Sequence, residues 1–301
     1  MGTVMTPDPQ APHTKGRVMR SEARYYDLLA WLFTLGRERA FRERLVELAR
    51  LAPGEAVVDV GCGTGTLAIA AKRCVGATGI VHGIDASPEM IELAKRKAGG
   101  QGVEVAFQTA VVEALPFPDA SFDVVLSTLM LHHLPRAVRE QCAREMRRVL
   151  KPGGRVLAVD FATPAQERRG LLGRFHKHGS MALDDMVQLL RGAELRVAET
   201  GAVGVSDLQF VVAMSPSPGD VSQATDVPPV HRSLAPLPMP RWIVPVLIGA
   251  VLAAHGLIVS AATSRLALSV VALVGVVALL VLMHAGPVSV LHGMLRRLLR
   301  R

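Results

Sequence analysis

The sequence predicts a doubly wound α/β fold with a mostly parallel seven-stranded sheet, followed by an apolar two-helix hairpin. Three observations carry this. Short β-rich runs alternate with amphipathic stretches from residue 56 to residue 214, the pattern of βαβ units. The first run, Val57-Val58-Asp59-Val60, feeds into Gly61-Cys62-Gly63-Thr64-Gly65 and then a helical pattern. A strand that ends in close glycines lets the backbone turn sharply and approach a ligand under a helix N-terminus. Finally, half of the 301 residues are apolar, and the excess falls after residue 240.

Residues 1–20 contain Pro7, Pro9 and Pro12 and no apolar run, so they read as a flexible arm and not as a signal peptide. The domain proper spans 21–214. It opens with two helical patterns. Over 22–35, Tyr25, Leu28, Leu29, Leu32 and Phe33 recur at three and four; over 38–51 the set is Phe41, Leu45, Leu48 and Ala49. Strands are expected at 56–60, 80–85, 103–109, 122–127, 155–160, 195–200 and 208–214. Helices are expected at 67–74, 88–98, 137–150 and 183–190. The helix from residue 88 has clear end signals: Ser87 as N-cap, Pro88 at the first position and Gly99 just past the end. Residues 215–240 hold seven prolines among polar residues and read as a linker. Residues 241–301 form the hairpin and a basic tail.

The net charge of +8 raises the question of nucleic acid. The basic residues, however, are scattered or flank the apolar C-terminus. With two tryptophans and two tyrosines, no aromatic interleaving is available to stack bases. Nucleic acid is therefore not expected as a partner. Three cysteines (Cys62, Cys74, Cys142) are too few and too unpatterned for a disulfide framework or a metal site.

Two cofactors compete for the glycine loop. The dinucleotide fingerprint needs glycine at its first, third and sixth positions, but Thr66 occupies the sixth. The third glycine comes at the fifth position instead, with Asp59 two residues before the first. That is the spacing of S-adenosylmethionine (SAM) sites. Asp85 closes the second strand about twenty residues on, where an acid grips ribose hydroxyls in either cofactor class.

Residues 55–162 resemble the class I SAM-dependent methyltransferases, and within them the group that includes the ubiquinone/menaquinone-biosynthesis C-methyltransferases. The matching segments are VVDVGCGTG, GIDASPEMIELAK, EALPFPDASFDVVLS and LKPGGRVLAVDF, in order. Tyr26-Asp27 also resembles the family's pre-domain helix. The resemblance implies SAM as cofactor and S-adenosylhomocysteine (SAH) as product. Asp59 would support the loop and the methionine end, and Gly61, Cys62, Gly63, Thr64 and Gly65 would contact the cofactor. Asp85 and Ala86 would hold the ribose, Val111 and Val112 would flank the adenine, and Ser127 would line the pocket. One position departs from the family. Relatives carry an acid where this chain has Val111, and that acid commonly accepts the adenine amino group. The loss of one hydrogen bond costs about 0.5–1.5 kcal/mol, tenfold in affinity at most.

Methyl transfer from a sulfonium is an in-line displacement that needs alignment above all, and a base only if the acceptor loses a proton. The fourth strand ends Ser127-Thr128-Leu129-Met130, without the Asn/Asp-Pro-Pro-aromatic motif of amide- and base-nitrogen methyltransferases. His132 and His133 follow. They are candidates for proton transfer near neutral pH, or they cap and pack the next helix. His176 and His178 either line an acceptor lid or lie in a solvated loop.

Residues 242–264 and 266–286 contain no charged residue, and each is long enough to cross a bilayer core. A buried core helix does not account for them, because nothing else in the chain could cover both. The short link through Arg265 makes them an antiparallel hairpin. Arg232 and Arg241 precede it and Arg296, Arg297, Arg300 and Arg301 follow, which places both ends and the catalytic domain on the cytoplasmic side of the cell membrane. Residues 288–301 form a basic amphipathic face for the anionic surface. His255 and His284 fall in or near the spans. A lipophilic small-molecule acceptor is expected, a quinone-ring precursor or a lipid. Two alternatives stand beside this reading: a SAM- or SAH-binding membrane protein without turnover, and a nicotinamide-dependent oxidoreductase.

Overall fold

The computed structural model describes Thr14, Asp27, Ala30, Trp31, residues 34–161, 181–217 and 228–238, and Pro240. Among these, α1 (Glu38–Ala49) leads into β1 (Ala56–Val60), α2 (Thr66–Val75), β2 (Ile80–Asp85), α3 (Pro88–Gly100) and β3 (Ala106–Thr109). The chain continues through β4 (Phe122–Thr128), a 3-10 turn (Leu131–His133), α4 (Arg136–Val149) and β5 (Leu150–Phe161). It ends in α5 (Leu183–Gly192), β6 (Arg196–Ala202), β7 (Leu208–Met214) and β8 (Val230–His231).

The strands form one sheet in the order β3-β2-β1-β4-β5-β7-β6-β8. The strands from β3 through β5 in this order run parallel, whereas β7 is antiparallel to both β5 and β6. The order reverses between β1 and β4, so the carboxyl ends of those two strands open the crevice where such sheets bind ligands. Both faces of the sheet are covered, which is why the strands are almost continuously apolar. Val57 packs with Phe41, Leu45, Ala68 and Ile69 on one face, while Val58 and Val60 pack with Cys142, Met146, Met186 and Leu190 on the other.

The local signals held where they were local. Ser87 caps α3, its Oγ accepting from the Met90 N–H at 3.2 Å. Most boundaries shift by a residue or two, and some by more. The α3 helix runs to Gly100, so Gly99 sits inside its last turn rather than beyond it. The third strand begins at Ala106 instead of residue 103. The fifth runs from Leu150, through an irregularity opposite Phe122 and Val124.

The larger difference is an eighth strand. Residues 228–238, expected to belong to a free linker, lie along the edge of β6. Val230 and His231 pair with Glu199 and Thr200. The N–H groups of Arg232, Leu234 and Leu237 then donate to the carbonyls of Thr200, Ala202 and Gly204 at 2.7, 3.0 and 3.0 Å. Leu237 is buried against the α1 side of the core. Two glycines make this approach possible. A Cβ on Gly201 would lie 1.9 Å from the Arg232 carbonyl oxygen, and one on Gly204 2.5 Å from that of Ala235.

The hairpin and tail (241–301), the arm apart from Thr14, and His176, His178, His255 and His284 lie outside the described residues. Of the 22–35 helical reading, Asp27, Ala30, Trp31, Thr34 and Leu35 are described; the first three are helical, and Thr34 and Leu35 already belong to a turn. No helix among the described residues is long and apolar enough to cross a membrane.

Candidate cofactor and acceptor site

The glycine loop turns because Gly61, Gly63 and Gly65 adopt φ of +77°, +53° and +75°, a region that L side chains rarely enter. Gly61 and Gly65 are also pinned sterically. A Cβ on Gly61 would fall 2.4 Å from Met130 Cγ, and one on Gly65 2.6 Å from Phe107 Cζ. The N–H groups of Gly61 and Cys62 both donate to the Ile84 carbonyl, at 2.9 and 2.8 Å. This ties the loop to the end of β2.

Asp85, at that end, accepts from the N–H of Gly63 at 2.9 Å through one oxygen and from that of Ser87 at 2.9 Å through the other. Burial raises its pKa against these hydrogen bonds. The Ala86 N–H also bonds Asp85; a carboxylate has about four lone-pair sites, so capacity remains for a hydroxyl donor. Thr64 is buried, and its Oγ1 donates to Asp27 at 2.7 Å. Lys97 donates to Asp27, Thr64 and Thr66 at 2.8, 2.9 and 3.1 Å. The pre-domain residue Asp27 is thereby fastened to the loop.

An open cleft of about 330 Å³ lies against the loop, lined by Arg42, Asp59, Gly61, Cys62, Thr64, Thr66, Leu67, Thr128 and Leu129. Asp59 is 1% exposed, and its Oδ2 has no hydrogen-bond partner among the described residues. Loss of water pushes its pKa up to about 7, opposed by the charge of Arg42 and reinforced by that of Asp85. Arg42 Nε and Thr128 Oγ1 are likewise buried without partners. Leu129 adopts φ of +56°, a strained backbone of the kind that gathers at functional sites.

The expected residues therefore divide. Asp59, Gly61, Cys62 and Thr64 line the cleft; Gly63, Gly65 and Asp85 do not, although Asp85 holds the loop through the Gly63 N–H. Ala86, Val111 and Val112 lie beyond it, with Val111 half-buried and Val112 packed in the core. Ser127 is 1% exposed, and its neighbour Thr128 reaches the cleft instead. Burial holds the Cys62 thiol well above its ordinary range, which disfavours the thiolate. Arg42 is the residue that sequence reasoning missed. It follows Phe41 on α1, and a charge flush against an apolar helix face was the available signal.

Next to the cleft, the segment after β4 carries Met130, which packs over Gly61, and then His132. His132 Nδ1 lies 2.6 Å from Asp160 Oδ1. Asp160 is fully buried and also accepts from the N–H groups of His132 at 3.0 Å and Phe161 at 2.8 Å. A carboxylate only accepts, so Nδ1 carries the proton and Nε2 is left as the basic nitrogen. The His133 ring lies 3.9 Å from that of His132, and Phe161 meets His132 edge-on at 5.6 Å. Arg139 braces the turn by donating to the carbonyls of Leu131 and Leu134, both at 2.8 Å. His132 is thus held in a fixed orientation by Asp160, on the segment that follows Thr128 and Leu129 of the cleft.

This geometry fits SAM. A loop with three glycines, a buried acid with one oxygen left unpartnered and a buried cation match a ligand with a close-packed sulfonium and a zwitterionic amino-acid end. Comparison with known proteins agrees. Residues 57–154 match a family model described as a methyltransferase domain. The chain is 40% identical over 152 residues to the demethylmenaquinone methyltransferase of Thermus thermophilus, covering 50% of this chain and 67% of that one. It is 34% identical over 183 residues to a ubiquinone/menaquinone biosynthesis C-methyltransferase of Azotobacter vinelandii, covering 60% and 70%. Among solved structures, a SAM dependent methyltransferase from Aquifex aeolicus shares the fold, with a TM-score of 0.54 at 23% identity over 65% of this chain and 97% of that one.

Proposed function

The chain belongs to the class I SAM-dependent methyltransferases, and from that premise we propose that it methylates a lipophilic quinone-ring precursor at a membrane surface. The observation that carries the chemistry is the His132–Asp160 pair, 2.6 Å apart, on the segment whose Met130 covers Gly61. The methyl carbon moves from the SAM sulfur to a nucleophilic atom of the acceptor ring. The carbon–sulfur bond breaks, SAH leaves neutral at sulfur, and the ring gives up one proton to His132 Nε2. Asp160 holds the imidazole in the tautomer that can take it and stabilises the imidazolium that results. The flat surfaces of His133 and Phe161 suit an aromatic acceptor.

On the cofactor side, Gly61, Gly63 and Gly65 admit the cofactor backbone, and Asp85 with Ala86 takes the ribose. Val111 and Val112 flank the adenine, with main-chain groups reading its edge in place of the family acid. The lipophilic acceptor rests on two supports: relatives at 34–40% identity named for menaquinone and ubiquinone synthesis, and the two uncharged stretches 242–264 and 266–286. A hairpin there would hold the catalytic domain at the cytoplasmic face and raise its effective concentration near dissolved acceptors.

The test compares His132→Ala, Asp160→Asn and the unaltered full-length chain for turnover of a prenylated hydroquinone and for SAH binding. We expect kcat to fall by about 10²–10⁴-fold in His132→Ala, with SAH affinity unchanged in both variants. Full turnover in His132→Ala removes the proton-transfer role. The acceptor class is tested separately: equal kcat/KM for the prenylated acceptor and its water-soluble head group sinks the lipophilic reading.

A further inference from the structure

We propose that residues 228–238 are a docked strap that sets the pose of Arg42, and that Arg42 takes the carboxylate of the cofactor's amino-acid end. The cofactor's tail is a zwitterion, and the cleft offers one buried acid, Asp59, and one cation, Arg42. Both have an unpartnered buried atom there, Asp59 Oδ2 and Arg42 Nε. Arg42 is otherwise held weakly. Its Nη2 lies 3.5 Å from Glu38 Oε1, and its guanidinium sits over the Phe41 ring at 5.1 Å. Its side chain is 11% exposed, so its direction is fixed by where α1 lies.

The strap holds α1 from the β6 edge of the sheet. Arg37, just before the helix, donates from Nη1 to the Leu237 carbonyl at 2.8 Å. Two residues after Arg42, Arg44 donates from Nη1 to the carbonyls of Ala235 at 2.7 Å and Val203 at 3.0 Å. Arg232 Nη2 approaches Glu47 Oε1 at 3.8 Å and its Nη1 approaches Glu199 Oε1 at 3.7 Å. Leu237 joins the cluster that includes Phe41 and Leu45, and Leu234 packs against it. The strap is therefore anchored on both flanks, to α1 by side chains and to β6 by its main chain. The side-chain-free Gly201 and Gly204 give it a fitted seat. A segment nearly two hundred residues downstream thus holds the helix whose arginine faces the glycine loop. The inference rests on the SAM assignment and concerns only which residues grip the amino-acid end.

Two ligands separate gripping from folding. SAH carries the amino-acid end; 5′-methylthioadenosine lacks it and keeps the adenosine. Both are titrated into the detergent-solubilised full-length chain and into Arg42→Ala, Arg44→Ala, a chain with residues 230–237 replaced by an equal Gly/Ser run, and each strap change combined with Arg42→Ala. Removing a charge-assisted contact predicts about tenfold or greater weakening of SAH in Arg42→Ala. We expect about tenfold in the Gly/Ser chain and about threefold in Arg44→Ala, with 5′-methylthioadenosine unchanged throughout. In the Arg42→Ala background neither strap change should weaken SAH further. Equal weakening of both ligands, or strap effects that persist without Arg42, overturns the strap's role. Unchanged SAH binding in Arg42→Ala overturns the arginine's. If the Gly/Ser chain does not fold, Arg44→Ala, which keeps Leu237 in place, decides alone. No binding of SAH to the unaltered chain would instead strike the cofactor reading itself.

Discussion

Asp59→Asn should make the protein more stable and a poorer SAM binder, and the two effects should follow pH in a defined way. Burial lifts the Asp59 pKa from an ordinary 3.8 to about 7. Folding therefore favours the neutral acid. The stabilisation is whole below pH ~4 and is lost as pH climbs through 7, where the native protein must carry a buried carboxylate. At about 1.36 kcal/mol per pKa unit, the gap of about three units is worth about 4 kcal/mol at pH 8. Asparagine keeps the shape and removes the charge, but its buried N–H₂ needs acceptors. The net gain is accordingly about 2–4 kcal/mol at pH 8 and near zero at pH ~4. For a domain of this size that is about 5–10 °C in Tm.

The same acid predicts how binding responds. A cofactor ammonium beside Asp59 favours the carboxylate, so binding below pH 7 must expel a proton. SAM affinity should then rise with pH, approaching tenfold per unit between pH 5.5 and 6.5 and levelling above 7.5. Asp59→Asn should flatten that dependence and bind more weakly at pH 8. Thermal unfolding at four pH values and calorimetry in buffers of different ionisation enthalpy measure both halves. A variant that melts at the wild-type temperature at pH 8, or a cofactor affinity independent of pH, refutes the assignment of Asp59 as a buried acid held for the ligand.

Two further substitutions test the walls of the site. Gly61→Ala places a Cβ 2.4 Å from Met130 Cγ at a φ of +77°; urea unfolding should show a loss of about 1–3 kcal/mol, with SAM binding weakened because Met130 and the loop must separate. Ordinary stability and affinity would mean that the loop is looser than its φ angles imply. Val111→Asp supplies the acid that the family resemblance implies at this position and should tighten SAM by up to about tenfold. No gain, checked by titration, would indicate that main-chain groups already satisfy the adenine edge.

What was legible in the sequence was what local chemistry decides. β1, its glycine turn and α2 came out within a residue or so, because a β-branched run, three glycines and a helical pattern constrain one another over twenty positions. Seven strands were visible for the same reason. His132 was visible as a candidate for proton transfer, without the group that orients it. Its meaning depends on Asp160, which comes 28 residues later and reaches it only because β4 and β5 pair in register, Ser127 opposite Ala158. Ser127 was read as the end of the fourth strand and as part of the pocket; the strand runs one residue further, to Thr128, which lines the cleft before Leu129 turns left-handed. The strap was not legible because proline-rich composition carries no period. Its seat is encoded about thirty residues upstream, in the missing side chains of Gly201 and Gly204.

The buried acid and the docked strap answer one physical problem. An unpaired carboxylate inside a protein is costly, and among charged neighbours only Arg42 lowers the pKa of Asp59, while Asp85 raises it. Bringing Arg42 closer would stabilise the free protein but consume the cation, leaving nothing for the ligand's carboxylate. Moving it away would neutralise Asp59 near pH 7 and lose the grip on the ammonium. An intermediate placement keeps both charges under-satisfied until a zwitterion arrives, and such a placement has to be imposed from outside the pair. Carbonyl oxygens of Leu237 and Ala235, held by Arg37 and Arg44, impose it through α1 without entering the cleft.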